Sequence, residues 1–281
     1  MYSWRKLREK LFTGLVIALS LLAIAPVLHL IATVFVNGLT VIAEAGLGFF
    51  TGLPPTPLSR ELGGIAPSIA GTLIMTALSL PSTVLLGLFA AILTTEFPKN
   101  PLSVAIDAVA KSLASIPTIA VSMIVYTLVV IPMRGFSALA GAIALTIIAL
   151  PYAYTYFSTA LRSVPSIYRE AAFAVAMSRW STVTRVFIPI ARRSAVVGVL
   201  MTMARVMGET AALLFTAGRF RASVALSPTA PADSIPLLIF DYILSPYTIW
   251  HRVAWGATAL LLIAYMAVFI ATKLVVKEVK L

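Results

Sequence analysis

Long apolar runs separated by short polar segments dominate this chain, and within the runs polar and apolar positions do not alternate. A membrane barrel would show alternating segments of about ten residues, whereas unbroken runs of about 18 to 20 apolar residues mark helices that can cross a hydrocarbon core. The pattern predicts six spans, at about residues 11–36, 68–95, 113–132, 137–157, 194–217 and 253–275. Pro81 is expected to kink the second span, with neighbouring helices satisfying the freed carbonyl, and Pro117 lies near the start of the third. Only Met133-Arg134-Gly135-Phe136 joins spans three and four, which predicts a tight helical hairpin. Leu102, Ile106 and Val109 share a face at helical spacing, so the segment from Phe97 to Ser112 reads as an amphipathic surface helix. Two long connections, at about 37–67 and 218–252, are rich in Gly and Pro and read as loops.

One stretch breaks the apolar pattern. From Ser158 to Arg193 there are six Arg and one Glu, which excludes a span. Within it, Glu170 to Met177 is made of strong helix formers, and its Ala face permits close contact with another helix. A buried-looking Glu170 beside Ala171 and Ala172, followed at a distance by an apolar corner ending in Pro189, makes a candidate docking site for a soluble partner. Pro189 is expected to end this segment before span five.

Composition fits the same picture: 60% of residues are apolar and 11% charged, against about 25% charged in soluble domains. The net charge of +11 reflects topology rather than nucleic-acid binding, because inner loops of membrane proteins collect Lys and Arg. With the N-terminus inside, fifteen of the 21 basic residues fall on inner segments and five on outer ones, so both termini and the Glu170 segment are expected to be cytoplasmic. Arg5, Lys6, Arg8 and Lys10 precede the first run as in a signal peptide, but that run far exceeds a roughly 7–15-residue signal core and reads as an uncleaved span. The chain has no Cys, hence no thiolate nucleophile or thiolate metal site, and His29 and His251 are too far apart in sequence to suggest a metal site.

No phosphate-cradling G-x-x-x-x-G-K-[ST] loop is present, nor an H-E-x-x-H or G-x-S-x-G motif. The spans hold one notable charged pair, Arg205 and Glu209, near the middle of span five. Their i, i+4 spacing puts both on one helix face. A charge at mid-bilayer costs at least about 2.5–3.5 kcal/mol on insertion scales and marks function more often than structure. The planar donor fork of Arg suits a phosphate or another oxyanion, and Glu209 would offset its charge at rest. The small Gly208 lets another backbone approach beside the pair.

These residues resemble a family. The loop resembles the EAA motif of ABC-importer permeases, E-A-A, three residues, Gly, nine residues, then I-x-L-P. Glu170-Ala171-Ala172, Val186, Ile188 and Pro189 keep every spacing, and Ala176 stands in the Gly position. Ala fits there if its φ is not positive. The string Gly208-Glu209-Thr210-Ala211-Ala212-Leu213-Leu214-Phe215 is similar to the G-E-T-A-P-L-L-F segment of phosphate-importer permeases of the A type (PstA type), with Ala212 in place of Pro, which is expected to straighten that turn of helix. Gly63 to Ile69, Ser115 to Ile119, Ser234 to Tyr242 and Ser245-Pro246 extend the likeness from about residue 60 onward.

The resemblance implies an all-α polytopic fold with six transmembrane helices, of the type I ABC-importer permease kind, in the cell membrane of a prokaryote. It divides the chain into an N-terminal span and outer loop at 1–67, a transmembrane core at 68–275 and a cytoplasmic tail at 276–281. It implies a transport subunit with no catalytic residues, metal or directly bound cofactor. ATP would be used by two copies of a partner ATPase, reached through the loop 170–189 as a coupling helix. A C-type permease would complete a heterodimer, an extracytoplasmic phosphate-binding protein would deliver substrate, and lipid would surround the spans, with no nucleic acid involved. Arg205 and Glu209 become candidates for the phosphate pathway. The alternatives are a permease for sulfate, molybdate or tungstate, or a non-ABC membrane protein. A membrane-embedded enzyme lacks its nucleophile, base and metal, and an ion-driven transporter would show more intramembrane carboxylates and repeated halves.

Overall fold

A computed structural model describes residues 2–277, so Met1 and the tail beyond Lys277, including Lys280, lie outside the described residues. Among these, all regular structure is helical apart from one isolated bridge. The helices are α1 (Tyr2–Ala45), α2 (Gly48–Thr51), α3 (Ala66–Glu96), α4 (Pro101–Ser115), α5 (Thr118–Met133), α6 (Ala138–Arg162), α7 (Ser166–Ala174), α8 (Arg179–Gly208), α9 (Ile235–Ile243) and α10 (Thr248–Lys277). Five of them, α1, α3, α6, α8 and α10, are long and apolar enough to cross a membrane. The sixth expected span is α5, whose short length is extended only by the sharply bent α4 before it. The chain is a multi-pass membrane protein.

Several boundaries differ from those the hydrophobic pattern predicts. Helix α1 runs on to Ala45 instead of stopping near 36, because Gly38 faces α10 so closely that a Cβ there would overlap Ala259. Gly46, at φ +58°, ends it. The third span starts at Thr118 and not at 113: Pro117 has no N–H and holds Ile116 extended, at φ −75° and ψ 131°, so α4 and α5 meet at a 105° bend. The predicted amphipathic helix is α4, with Asn100 accepting a hydrogen bond from the Leu102 N–H at its start.

The largest shift is in span five. Helix α8 begins at Arg179, capped by the Ser178 hydroxyl, and ends at Gly208 rather than Phe215 or beyond. Pro189 does not end a segment; a π turn at Val183–Phe187 widens the helical ladder just before it, and the helix runs through. After Gly208 the chain leaves the helix at Glu209 (ψ 123°), so Ala212 straightens nothing; it sits fully buried in a series of turns. The segment that follows folds back onto the start of α6, where the carbonyls of Thr216, Pro228 and Ala230 accept from the N–H groups of Ser137, Leu139 and Ala138. These are donors that a helix start leaves unsatisfied. The connection between α8 and α10 therefore contains a series of turns folded back onto α6 and the helix α9.

Helix α6 is central: 61% of its most apolar window is buried, against none of the window in α1. Met75, Val121, Val125, Leu145, Ile148 and Leu213 pack in one core that joins α3, α5, α6 and the turns after Gly208. The expected tight hairpin between α5 and α6 is present, with Arg134 left-handed at φ 57° and the Ser137 hydroxyl capping α6.

Candidate substrate pathway and coupling loop

Arg205 lies in the last turn of α8, where the negative end of the helix dipole favours a cation. Glu209, expected on the same helix face, is instead the residue that leaves the helix, an unfavourable place for a carboxylate. The two still meet, with Arg205 Nη2 3.9 Å from Glu209 Oε2, close enough for charge attraction but too far for a hydrogen bond. Both side chains are partly exposed, at 31% and 14%. The guanidinium carbon of Arg205 stands 3.8 Å from the centroid of the Tyr152 ring, supplied by α6. Arg205 Nε is buried and has no hydrogen-bond partner. Gly208 is packed against the Tyr265 hydroxyl of α10 so closely that a Cβ would overlap it. Sequence reasoning found Arg205, Glu209 and the small Gly208, but neither tyrosine. The aromatic run Tyr152, Tyr154 and Tyr156 was the available signal. Residues two apart on a helix point about 200° apart, so Tyr152 and Tyr154 face different neighbours. Tyr154 donates to Asp107 of α4 at 3.0 Å while Tyr152 meets Arg205.

The polar loop folds as expected into a short helix, α7, followed by a sharp turn. Ala176 adopts φ +56°, the left-handed conformation that the Gly position of the motif would serve without strain. The Ala176 N–H bonds to the Phe173 carbonyl and the Met177 N–H to the Ala172 carbonyl, each at 3.0 Å, the two-bond closure of a left-handed helix end. The Gly-type bend is therefore kept with an Ala in it. Glu170 is exposed, not buried, because α7 turns that face away from the rest of the chain. Ala172 is buried, Ala171 and Pro189 are exposed, and Val186 and Ile188 are half-buried. Ile167, Tyr168, Phe173, Val175 and Trp180 are exposed around the turn.

Sequence reasoning missed what anchors this loop. Glu96, the last residue of α3, is 2% exposed and receives both Arg169 Nη atoms, at 2.6 and 2.9 Å. Arg179 donates to the Glu96 carbonyl at 2.8 Å. The Arg169 guanidinium stacks on Phe187 and that of Arg179 on Phe97. An acid closing an apolar run, opposite a loop with many Arg, was the signal.

A second missed network ties down the opposite end of the molecule. Arg221 binds Asp233 through two bonds, at 2.9 and 3.1 Å, and Asp241 at 2.8 Å, while the Ser68 hydroxyl donates to Asp233 at 2.5 Å. Burial works against the Arg221 charge, yet the two carboxylates raise its pKa. Burial pushes the adjacent Tyr242 phenol up to about 12. Gly71 touches the Asp233 carbonyl so closely that no side chain fits there.

Residues 83–280 match the family model for the binding-protein-dependent transport system inner membrane component, and the chain belongs to that family of transport permeases. Among its relatives, a probable phosphate transport system permease protein of Methanocaldococcus jannaschii is 38% identical, covering 98% of this chain and 95% of its own length. A phosphate transport system permease protein of Yersinia pestis is 28% identical over 99% of this chain and 93% of its own. Two solved structures share the fold. One is the MetNI methionine ABC transporter in an inward-facing conformation, with a TM-score of 0.62 and 19% identity over 77% of this chain and 96% of that one. The other is an amino acid ABC transporter with histidines, with a TM-score of 0.57 and 17% identity over 75% of this chain and 92% of that one.

Proposed function

We propose that this chain is the A-type permease subunit of an ATP-driven phosphate importer. The observation that carries the reading is likeness along nearly the whole length to a phosphate permease, at 38% identity. Phosphate is an oxyanion, and Arg205, with a buried unpartnered Nε and a loosely held carboxylate neighbour, has the chemistry to receive one. Residues 170–189 would seat on an ATPase subunit, whose two copies use the ATP. A C-type permease would supply the other half of the pathway, and a binding protein would bring phosphate from outside. Both termini are cytoplasmic in this reading, since basic residues concentrate on that side.

Helix α8 offers a direct mechanical route. It runs without a break from Arg179, beside the turn at Ala176, to Arg205. At about 1.5 Å per residue that is on the order of 40 Å, so one continuous helix links the loop to the charged pair. The π turn at Val183–Phe187, followed by Pro189, is where that element can flex.

The test is uptake by vesicles carrying the reconstituted four-component system. Arg205→Gln should abolish phosphate uptake while the complex still assembles. If Arg205→Gln combined with Glu209→Gln restores wild-type uptake, the pair only neutralises charge and the pathway role is lost.

A further inference from the structure

Arg205 has two neighbours that compete for its charge, and they hold it in different ways. Glu209 attracts it through one of its donor nitrogens, Nη2, at 3.9 Å. Tyr152 lies under its face, with the guanidinium carbon 3.8 Å from the ring centroid. A face contact uses none of the N–H donors, whereas an in-plane carboxylate uses the same donors that an oxyanion would need. Nε is left without a hydrogen-bond partner, and Nη2 stands too far from Glu209 for a hydrogen bond, so the protein holds neither donor in one.

We propose that Tyr152 is the positioning residue of the substrate site: it holds the plane of the Arg205 fork while an oxyanion takes the place of Glu209. The inference rests on the reading of Arg205 as a phosphate contact. An arriving phosphate is repelled by the Glu209 carboxylate, so the exchange requires Arg205 to give up that partner. A guanidinium held only by Glu209 would lose its orientation at that moment. With Tyr152 beneath it, the fork keeps its plane and presents its donor edge throughout. The ring comes from α6, the most buried helix, while Arg205 and Glu209 sit at the end of α8. The platform is thus fixed to the most buried of the candidate spans, and the charged pair to the helix that reaches the loop.

The ring and not the hydroxyl does this work, which separates it from ordinary packing. With phosphate-loaded binding protein in excess, phosphate delivered per ATP hydrolysed should stay within about twofold of wild type in Tyr152→Phe and fall about tenfold in Tyr152→Leu, the order of a desolvated cation–π contact. Tyr152→Met, long and apolar but without a ring, replaces Tyr152→Leu if that variant does not assemble, and should show the same loss. Three results are separable. If Arg205→Gln itself transports normally, the underlying reading of the pathway fails. If Arg205→Gln abolishes transport but the ringless variants match wild type, the positioning role alone fails. If Tyr152→Phe loses as much as Tyr152→Leu, the hydroxyl or the packing matters and the platform is refuted.

Discussion

Ala176 carries backbone strain that the sequence motif would have avoided. A non-Gly residue at φ +56° gives up on the order of 1–2 kcal/mol, against about 0.5–1 kcal/mol of extra chain entropy that a Gly would lose on folding. The nearby exposed surface includes Phe173 and Val175, so nothing in the turn obstructs the smaller residue. Ala176→Gly should therefore raise the melting temperature of the purified permease, by an amount equivalent to about 0.5–1 kcal/mol. An unchanged or lower value would mean that the left-handed turn is not held in the folded protein. The motif spacing located this position, but the sign of φ was not legible, because Ala alone favours the right-handed region and only the two carbonyls that close the turn impose the other. Arg205 and Glu209 were legible for a simpler reason: charges inside an apolar run stand out. Their aromatic partner did not, since a Tyr in a span is unremarkable until its ring is found under a cation.

At the scale of elements, the loop and the spans are coupled by one ion pair. Glu96 closes α3, is 2% exposed, and holds Arg169 of α7 by two short bonds. Removing the Arg leaves an unpaired carboxylate in a buried site, which costs about 3–5 kcal/mol for pairs of this kind. Removing the charge of the acid instead leaves a neutral acceptor and a cation that can reach water. Arg169→Ala should thus lower stability and uncouple ATP hydrolysis from uptake, while Glu96→Gln should do both to a smaller degree. Thermal unfolding and the ratio of uptake to ATP hydrolysis check this ordering, and the reverse order would contradict the buried anchor. The helices themselves were largely readable: α3 and α6 fall near their apolar runs, and α4 appears where its face predicts it. Span five was not, because hydropathy sees neither that Arg179 to Arg193 extend the helix through a π turn nor that an apolar stretch after Gly208 can be turns. That stretch is closed by its own turns, with the Leu213 N–H on the Thr210 carbonyl and the Ala217 N–H on that of Leu213, while the Thr216 carbonyl accepts from Ser137 at the start of α6, a contact distant in sequence.

In the whole molecule, two ends are built differently and joined by α3, which carries Ser68 and Gly71 at one end and Glu96 at the other. One end has the arginine-rich loop pinned to Glu96. The other has the network of Arg221, Asp233 and Asp241, with Ser68 and Gly71 of α3 against Asp233. Between them, Arg205, Glu209, Tyr152 and Tyr265 bring α8, α6 and α10 to one point. Fold class and membrane character were legible from the hydrophobic pattern alone, and the permease family from motif spacing. The substrate follows from likeness to phosphate permeases along nearly the whole chain, and transport itself tests it directly. The measurement is ATP-driven uptake by sealed vesicles containing this chain, its partner permease and the ATPase, with binding protein supplied and phosphate, sulfate and molybdate offered in competition. Phosphate should accumulate only with ATP, should not be displaced by excess sulfate or molybdate, and should no longer accumulate in Arg205→Gln. Uptake of sulfate or molybdate with phosphate excluded would contradict the phosphate reading.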